Sequence, residues 1–128
     1  DPLRLFVDRQ KRIPIDYKLF DGTQKTVCYT SDVEGDLRDN IEYQQIDFSR
    51  SISLQILTDL YRRNIQSVII EGGSTLLKEF IDLNLWDEAR IFTSSTKFEK
   101  GILSPKIEGE LFKEEIIDTD ELTVLLNK

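Results

Sequence analysis

From Ile69 to Leu77 the chain reads Ile-Ile-Glu-Gly-Gly-Ser-Thr-Leu-Leu. Ser67–Ile70, the apolar run that leads into it, has the unbroken character of a central parallel strand buried on both faces. After the glycines, Leu76, Leu77, Phe80 and Ile81, with Leu83 beyond them, recur at helical spacing, so the segment predicts a strand, a tight turn and a helix. The first turn of a helix presents N–H groups without intrahelical partners and a partial positive charge, which together attract an anion. Gly72 and Gly73 let the backbone bend sharply and leave no Cβ in the way of a phosphate. Ser74 and Thr75 add hydroxyl donors and can cap the helix. Open α/β sheets place ligands at this edge. The chemistry expected is capture of the phosphates of a nucleotide cofactor, although a bare strand-to-helix turn accounts for two glycines equally well. Glu71 would repel phosphate if it faced the same way, so it points toward substrate hydroxyls or amines, or into solvent.

A second candidate is the basic run Arg9, Lys11 and Arg12 after the first apolar segment. Arginine makes bidentate phosphate contacts, but a solvated turn explains any single member as well. Tyr17, Tyr29, Tyr43 and Trp86 read as core or rim residues. Asp36, Asp39 and Glu42 read as a solvated loop, and Asp87-Glu88 as a helix-end turn. No histidine is present, which removes Ser-His and Cys-His catalysis and most transition-metal sites. Cys28 is the only cysteine, so no internal disulfide or zinc cluster can form, and a lone thiol in a strand serves as a small apolar filler. No metal site is expected. The net charge of −7 makes nucleic acid and anionic membrane poor partners, while leaving room for a locally positive site that takes a small anion. No stretch approaches the roughly 20 apolar residues of a membrane helix, and no signal peptide is visible. These features fit a reducing, cytoplasmic setting.

The elements that must position these residues follow from the pattern. With 39% apolar and 32% charged residues in 128, the chain reads as one globular domain with a real core. Leu3–Val7 and Thr26–Thr30 read as strands and Tyr43–Phe48 as a short third one. Ser31–Asn40 reads as an exposed loop. Ser51–Arg63 reads as a helix capped by Ser51 or Ser53, with Leu54, Leu57, Leu60 and Tyr61 on its buried face and Asn64 as a left-handed stop. It would cross over to Ser67–Ile70. Glu88–Thr93 alternates as a strand, and Ser94–Lys106 is a loop. Leu111–Asp118 and Leu122–Leu126 form a final antiparallel pair joined by the acidic turn Asp118–Asp120.

Three stretches together resemble one family. They are Asp1-Pro2-Leu3-Arg4-Leu5-Phe6-Val7-Asp8-Arg9 with Arg12-Ile13-Pro14, Ile65 through Leu77 with Phe80-Ile81, and Leu85-Trp86-Asp87-Glu88-Ala89-Arg90-Ile91-Phe92. The chain is similar to the riboflavin-biosynthesis pyrimidine reductase domain, usually the C-terminal half of a bifunctional deaminase–reductase in bacteria. The resemblance implies a dihydrofolate-reductase-like α/β fold: a three-layer sheet with flanking helices, a mostly parallel centre and antiparallel C-terminal strands. It implies NADPH-dependent reduction of 5-amino-6-(5-phosphoribosylamino)uracil, the ribosyl group becoming ribityl. It implies Glu71 as a substrate ligand, and Arg9, Gly72, Gly73, Ser74, Thr75, Leu76 and Leu77 as cofactor contacts. Arg9 would suit the 2′-phosphate. No catalytic residue is assigned, since the cofactor brings the hydride. A homodimer and a small phosphoribosylaminopyrimidine substrate belong to the same implication.

Two departures stand out. The segment Ser94–Gly101 keeps one glycine where many members are apolar and rich in Pro and Gly. The family domain also begins well before Asp1, so this chain is expected to be the C-terminal part of a reductase domain, with little activity by itself. Two other readings remain: a dihydrofolate-reductase-like reductase of another small substrate, and a non-catalytic nucleotide-binding module.

Overall fold

The computed structural model describes residues 2–34, 38–97 and 99–128. It divides into two compact units, Asp1–Gln66 and Ser67–Lys128. Of the expectations above, those on Asp1, on Asp36 and the rest of 35–37 in the loop Ser31–Asn40, and on residue 98 in the loop Ser94–Lys106 lie outside the described residues.

The first unit is built on a parallel sheet in the order β1-β2-β3, with β1 at Arg4–Val7, β2 at Thr26–Thr30 and β3 at Ile41–Gln45. Phe6 lies beside Cys28, and Cys28 beside Tyr43, in the shared register. All five residues of β2 are buried. A central parallel strand covered on both faces tolerates β-branched, aromatic and thiol side chains but leaves no room for an alternating polar face. The third strand starts two residues earlier than the pattern suggested. Ile41, not Tyr43, opens the ladder, because Asn40 takes a positive φ of 62° and turns the chain into the strand. Glu42 therefore lies in a strand rather than in a solvated loop.

The helix α1 covers Ile52–Arg62, with Ser51 as its N-cap accepting from the Leu54 N–H at 3.3 Å. Asn64, at φ 58°, is the left-handed stop. The buried face differs from the expected one. Ser53, Ile56 and Leu60 are buried, whereas Leu54 is exposed and Tyr61 is 82% exposed. Leucine count alone suggested the Leu54–Tyr61 stripe. Ile56 and Ser53 instead sit one turn and two turns before Leu60, and a small serine permits close approach.

In the second unit, α2 spans Ser74–Asp82. A three-stranded antiparallel sheet follows in the order β4-β6-β5, with β4 at Glu88–Thr93, β5 at Glu110–Ile117 and β6 at Asp120–Leu126. Asp118, at φ 54°, supplies the left-handed residue of the β5–β6 turn, which fits the acidic turn expected there. Leu122 and Val124 of the central β6 are buried. Gly109 is required just before β5. A Cβ there would lie 2.7 Å from the Leu126 carbonyl oxygen and 2.8 Å from Cη2 of Trp86.

Ser67–Ile70 forms no strand. It has no regular structure and no ladder partner among the described residues, and Ile69 is 85% exposed. An apolar run becomes a buried parallel strand only when neighbours take up its N–H and C=O groups on both edges. No described segment does so.

Candidate functional site

The Gly-Gly turn follows this segment rather than the end of a laddered strand. Gly73 is the N-cap of α2, with φ 46° and ψ 128°. A side chain is strained in that conformation, which explains glycine at this position. No cap hydrogen bond comes from a side chain, so the expected capping by Ser74 or Thr75 does not occur. Both residues lie inside the first turn, one and two positions past the cap.

The Leu77 N–H makes its bond to the Gly73 carbonyl at 3.1 Å. The N–H groups of Ser74, Thr75 and Leu76 precede that bond, and an α-helix offers them no intrahelical acceptor. A Cβ added at Gly72 or Gly73 would meet nothing within 4 Å. The two glycines thus leave room for a group approaching their α-carbons. Phe80 is the buried residue of α2, Leu76 and Leu77 are half-buried, and Thr75 is exposed. Glu71 is exposed ahead of the turn. The structure brings Glu71 through Leu77 together as one continuous surface of the second unit.

Arg9 belongs to the first unit, on a turn held by an element that sequence reasoning passed over. Asp8 follows β1 directly and is buried, 7% exposed. Its carboxylate accepts from the Arg12 N–H at 3.0 Å and from the Ile13 N–H at 2.8 Å. The turn closes with a Lys11 N–H bond to the Asp8 carbonyl at 3.3 Å and a positive φ of 52° at Lys11. The Arg9 carbonyl accepts from Ser31 N at 3.1 Å and from Ser31 Oγ at 2.6 Å. The backbone of Arg9 is therefore fixed, while its guanidinium lies 5.4 Å from the Phe48 ring centre. Lys11 faces the Tyr43 ring and donates to the Glu34 carbonyl. An aspartate closing a strand before a polar turn is the available signal for such a clamp, because a short carboxylate reaches back to nearby N–H groups.

A second charged cluster is structural. Tyr29 donates its hydroxyl to Asp59 at 2.8 Å, and Arg63 Nε donates to the same carboxylate at 2.7 Å. Arg63 also grips Glu42 with two nitrogens. Burial, then the bond to Asp59, pushes the Tyr29 hydroxyl well above its ordinary range, so it stays a neutral donor. The Arg63 hydrogen bonds hold Glu42 below the usual carboxylate value. Cys28 is buried and its thiol is pushed up to about 11, chiefly by burial. That suits the filler role and removes it as a nucleophile. Among the described residues no group of three or more His, Cys, Asp or Glu could hold a metal ion. Among the same residues no helix is long and apolar enough to cross a membrane.

A parallel β-sheet unit with its helix, and a second unit with a helix opened by two glycines beside an antiparallel sheet, define an α/β protein. Residues 1–98 match the RibD C-terminal domain, and the chain belongs to that family. Over 118 residues it is 29% identical to the 2,5-diamino-6-ribosylamino-4(3H)-pyrimidinone 5′-phosphate reductase of Archaeoglobus fulgidus. That match takes in 88% of this chain and 53% of the relative, so the chain spans about half the length of that curated protein. Among solved structures it is similar to a diaminohydroxyphosphoribosylaminopyrimidine deaminase/5-amino-6-(5-phosphoribosylamino)uracil reductase from Thermotoga maritima. There the TM-score is 0.80 at 26% identity, over 100% of this chain and 38% of the other. Acinetobacter baumannii RibD shares the fold, with a TM-score of 0.74 at 18% identity over 98% of this chain and 37% of the other. The expected fold class therefore stands.

Proposed function

We propose that this chain carries the C-terminal part of a reductase domain that reduces the ribosyl group of a ribosylaminopyrimidine 5′-phosphate to ribityl, using NADPH. The observation that carries the reading is the glycine-opened start of α2 in a chain of the RibD C-terminal domain family. A phosphate needs space and donors, and the turn offers both: no atom lies within 4 Å of a Cβ at either glycine. The backbone of Gly72 and Gly73 and the N–H groups of Ser74, Thr75 and Leu76 would hold the phosphates, with Leu77 behind them. NADPH, when bound, supplies the hydride. The chain's part is to orient: Glu71 would accept hydrogen bonds from substrate hydroxyls or amines and so fix the sugar chain.

The favoured substrate is 5-amino-6-(5-phosphoribosylamino)uracil, the compound for which the reductase of Thermotoga maritima is named. A second reading has its own support, since the Archaeoglobus fulgidus relative is named for the 2,5-diamino pyrimidinone. The two differ at one ring position, amino against oxo. A relative of nearly twice the matched length supports the rest of the domain lying outside this chain. A cytoplasmic homodimer completes the reading.

The test is calorimetric titration of NADPH and NADH into the chain and into Gly72→Asp. Gly72 has no positive φ and open space at Cβ, so aspartate fits the fold while placing a carboxylate at the phosphate position. Binding of NADPH that is saturable, stronger than that of NADH and lost in the variant is the expected result. NADPH binding left unchanged by Gly72→Asp overturns the assignment of the turn. Turnover of both pyrimidines by the natural gene product then selects the substrate.

A further inference from the structure

A groove of about 460 Å³ runs between the end of β3 and α1, lined by Gln44, Gln45, Arg50, Leu54, Asp59 and Arg62 among others. All of its lining residues lie in the first unit, and neither the Gly-Gly turn nor Arg9 takes part. Its volume falls within the range of small-ligand sites.

One wall is braced. Gln55 accepts from the Asp47 N–H at 2.8 Å, and its amide donates to the carbonyls of Asp47 and Ser51, both at 2.9 Å. The chain leading into α1 is thereby tied to the helix. The charges are unequal. Asp59, the one acidic lining residue, is occupied by Tyr29 and Arg63. Arg50 and Arg62 make no ion pair among the described residues. The Arg50 guanidinium acts on the Asp47 carboxylate through its charge, and that carboxylate is already bonded to the Ser49 N–H and hydroxyl. Two guanidiniums outside the ion pairs thus line a groove whose single carboxylate is already engaged by Tyr29 and Arg63, on a protein of net charge −7. Gln44 and Gln45 donate their amide nitrogens to the carbonyls of Gln45 and Ser31, which leaves their side-chain oxygens as acceptors. Leu54, exposed in the groove, offers an apolar surface for a ring.

We propose that this groove is a binding site for a nucleoside diphosphate. Arg50 and Arg62 take its anionic groups, Gln44 and Gln45 accept from the base or sugar, and Leu54 packs on the ring. Bidentate guanidinium contacts suit phosphate oxygens. Arg50 lies just before α1 and Arg62 at its end, and the helix between them rises about 15 Å. The long side chains shorten that span, which favours a ligand with more than one anionic group over a lone phosphate.

The probe is ADP, titrated at low ionic strength into the full chain carrying Gly72→Asp, so that the Gly-Gly turn is closed to phosphate. Its comparison is the same chain with Arg50→Gln and Arg62→Gln added. Both arginines are exposed and outside the ion pairs of the fold, so this variant should fold, and circular dichroism checks it. Saturable one-to-one binding, amide shifts concentrated in residues 44–62, and at least a tenfold loss of affinity in the glutamine variant are expected. Absence of saturable ADP binding to the Gly72→Asp chain overturns the proposal. So does equal affinity in the glutamine variant, or a shift pattern outside residues 44–62.

Discussion

Asp8→Ala removes the clamp that shapes the turn after β1. The side chain accepts two backbone N–H groups, at 3.0 and 2.8 Å, from a position only 7% exposed. A hydrogen bond to a charged acceptor contributes about 1.5–3 kcal/mol net, and a buried donor left alone costs about as much. Arg12 and Pro14 are exposed and Ile13 is half-buried, so water recovers part of the loss at both N–H groups. The expected loss of unfolding free energy is therefore about 2–4 kcal/mol rather than the full sum of both bonds. For a chain of this length that lowers Tm by about 10 °C. With a urea slope of about 1–3 kcal/mol/M, the midpoint falls by roughly 1–2 M at unchanged slope. Asp8→Asn keeps one carbonyl oxygen but turns an amide donor toward the other N–H, and should fall between the two. The assay is urea unfolding followed by circular dichroism on the three proteins. A loss below about 1 kcal/mol in Asp8→Ala refutes the reasoning, since a surface contact open to water would behave that way.

Gly109→Ala should cost about 1–3 kcal/mol, because the added Cβ meets a backbone oxygen at 2.7 Å that cannot step aside; thermal unfolding measures it. Cys28, with its thiol pushed up to about 11 by burial, should resist a thiol reagent at pH 8 in the folded protein and react at once in urea. The folded-state value of Glu42 lies below its ordinary 4.5. Its stabilising contribution is therefore fully present above that pH and lost as pH falls through the depressed folded value. Glu42→Gln should lower stability at pH 7 and flatten the decline between about pH 5 and 3, read from urea midpoints; an unchanged pH profile would show that the Arg63 contact contributes nothing. Ser51→Ala should lower stability by about 1 kcal/mol through loss of the cap on Leu54.

Much of the local structure was legible along the chain. Thr26–Thr30 and Glu88–Thr93 carry β-branched and alternating patterns, and both form strands over those bounds. Ser51 and Asn64 mark the ends of α1 because capping and left-handed geometry depend on one residue and its immediate neighbours. The same holds for the two glycines at α2: the need for a positive φ at Gly73 belongs to the turn itself. What depended on distant partners was not legible. Ser67–Ile70 has the composition of a buried strand, yet a ladder needs hydrogen-bonding neighbours, and none is present among the described residues. The buried face of α1 turned on Ser53, which is buried because it is small rather than because it is apolar. Asp8, which no pattern singled out, proved to be the acceptor that folds the turn after β1. Glu42 looked like a solvated charge, and its link to Asp59 exists only because α1 brings Arg63 to both. Composition and short-range geometry are written in consecutive residues, whereas the choice of partner for a strand edge, a helix face or a carboxylate is made across the fold.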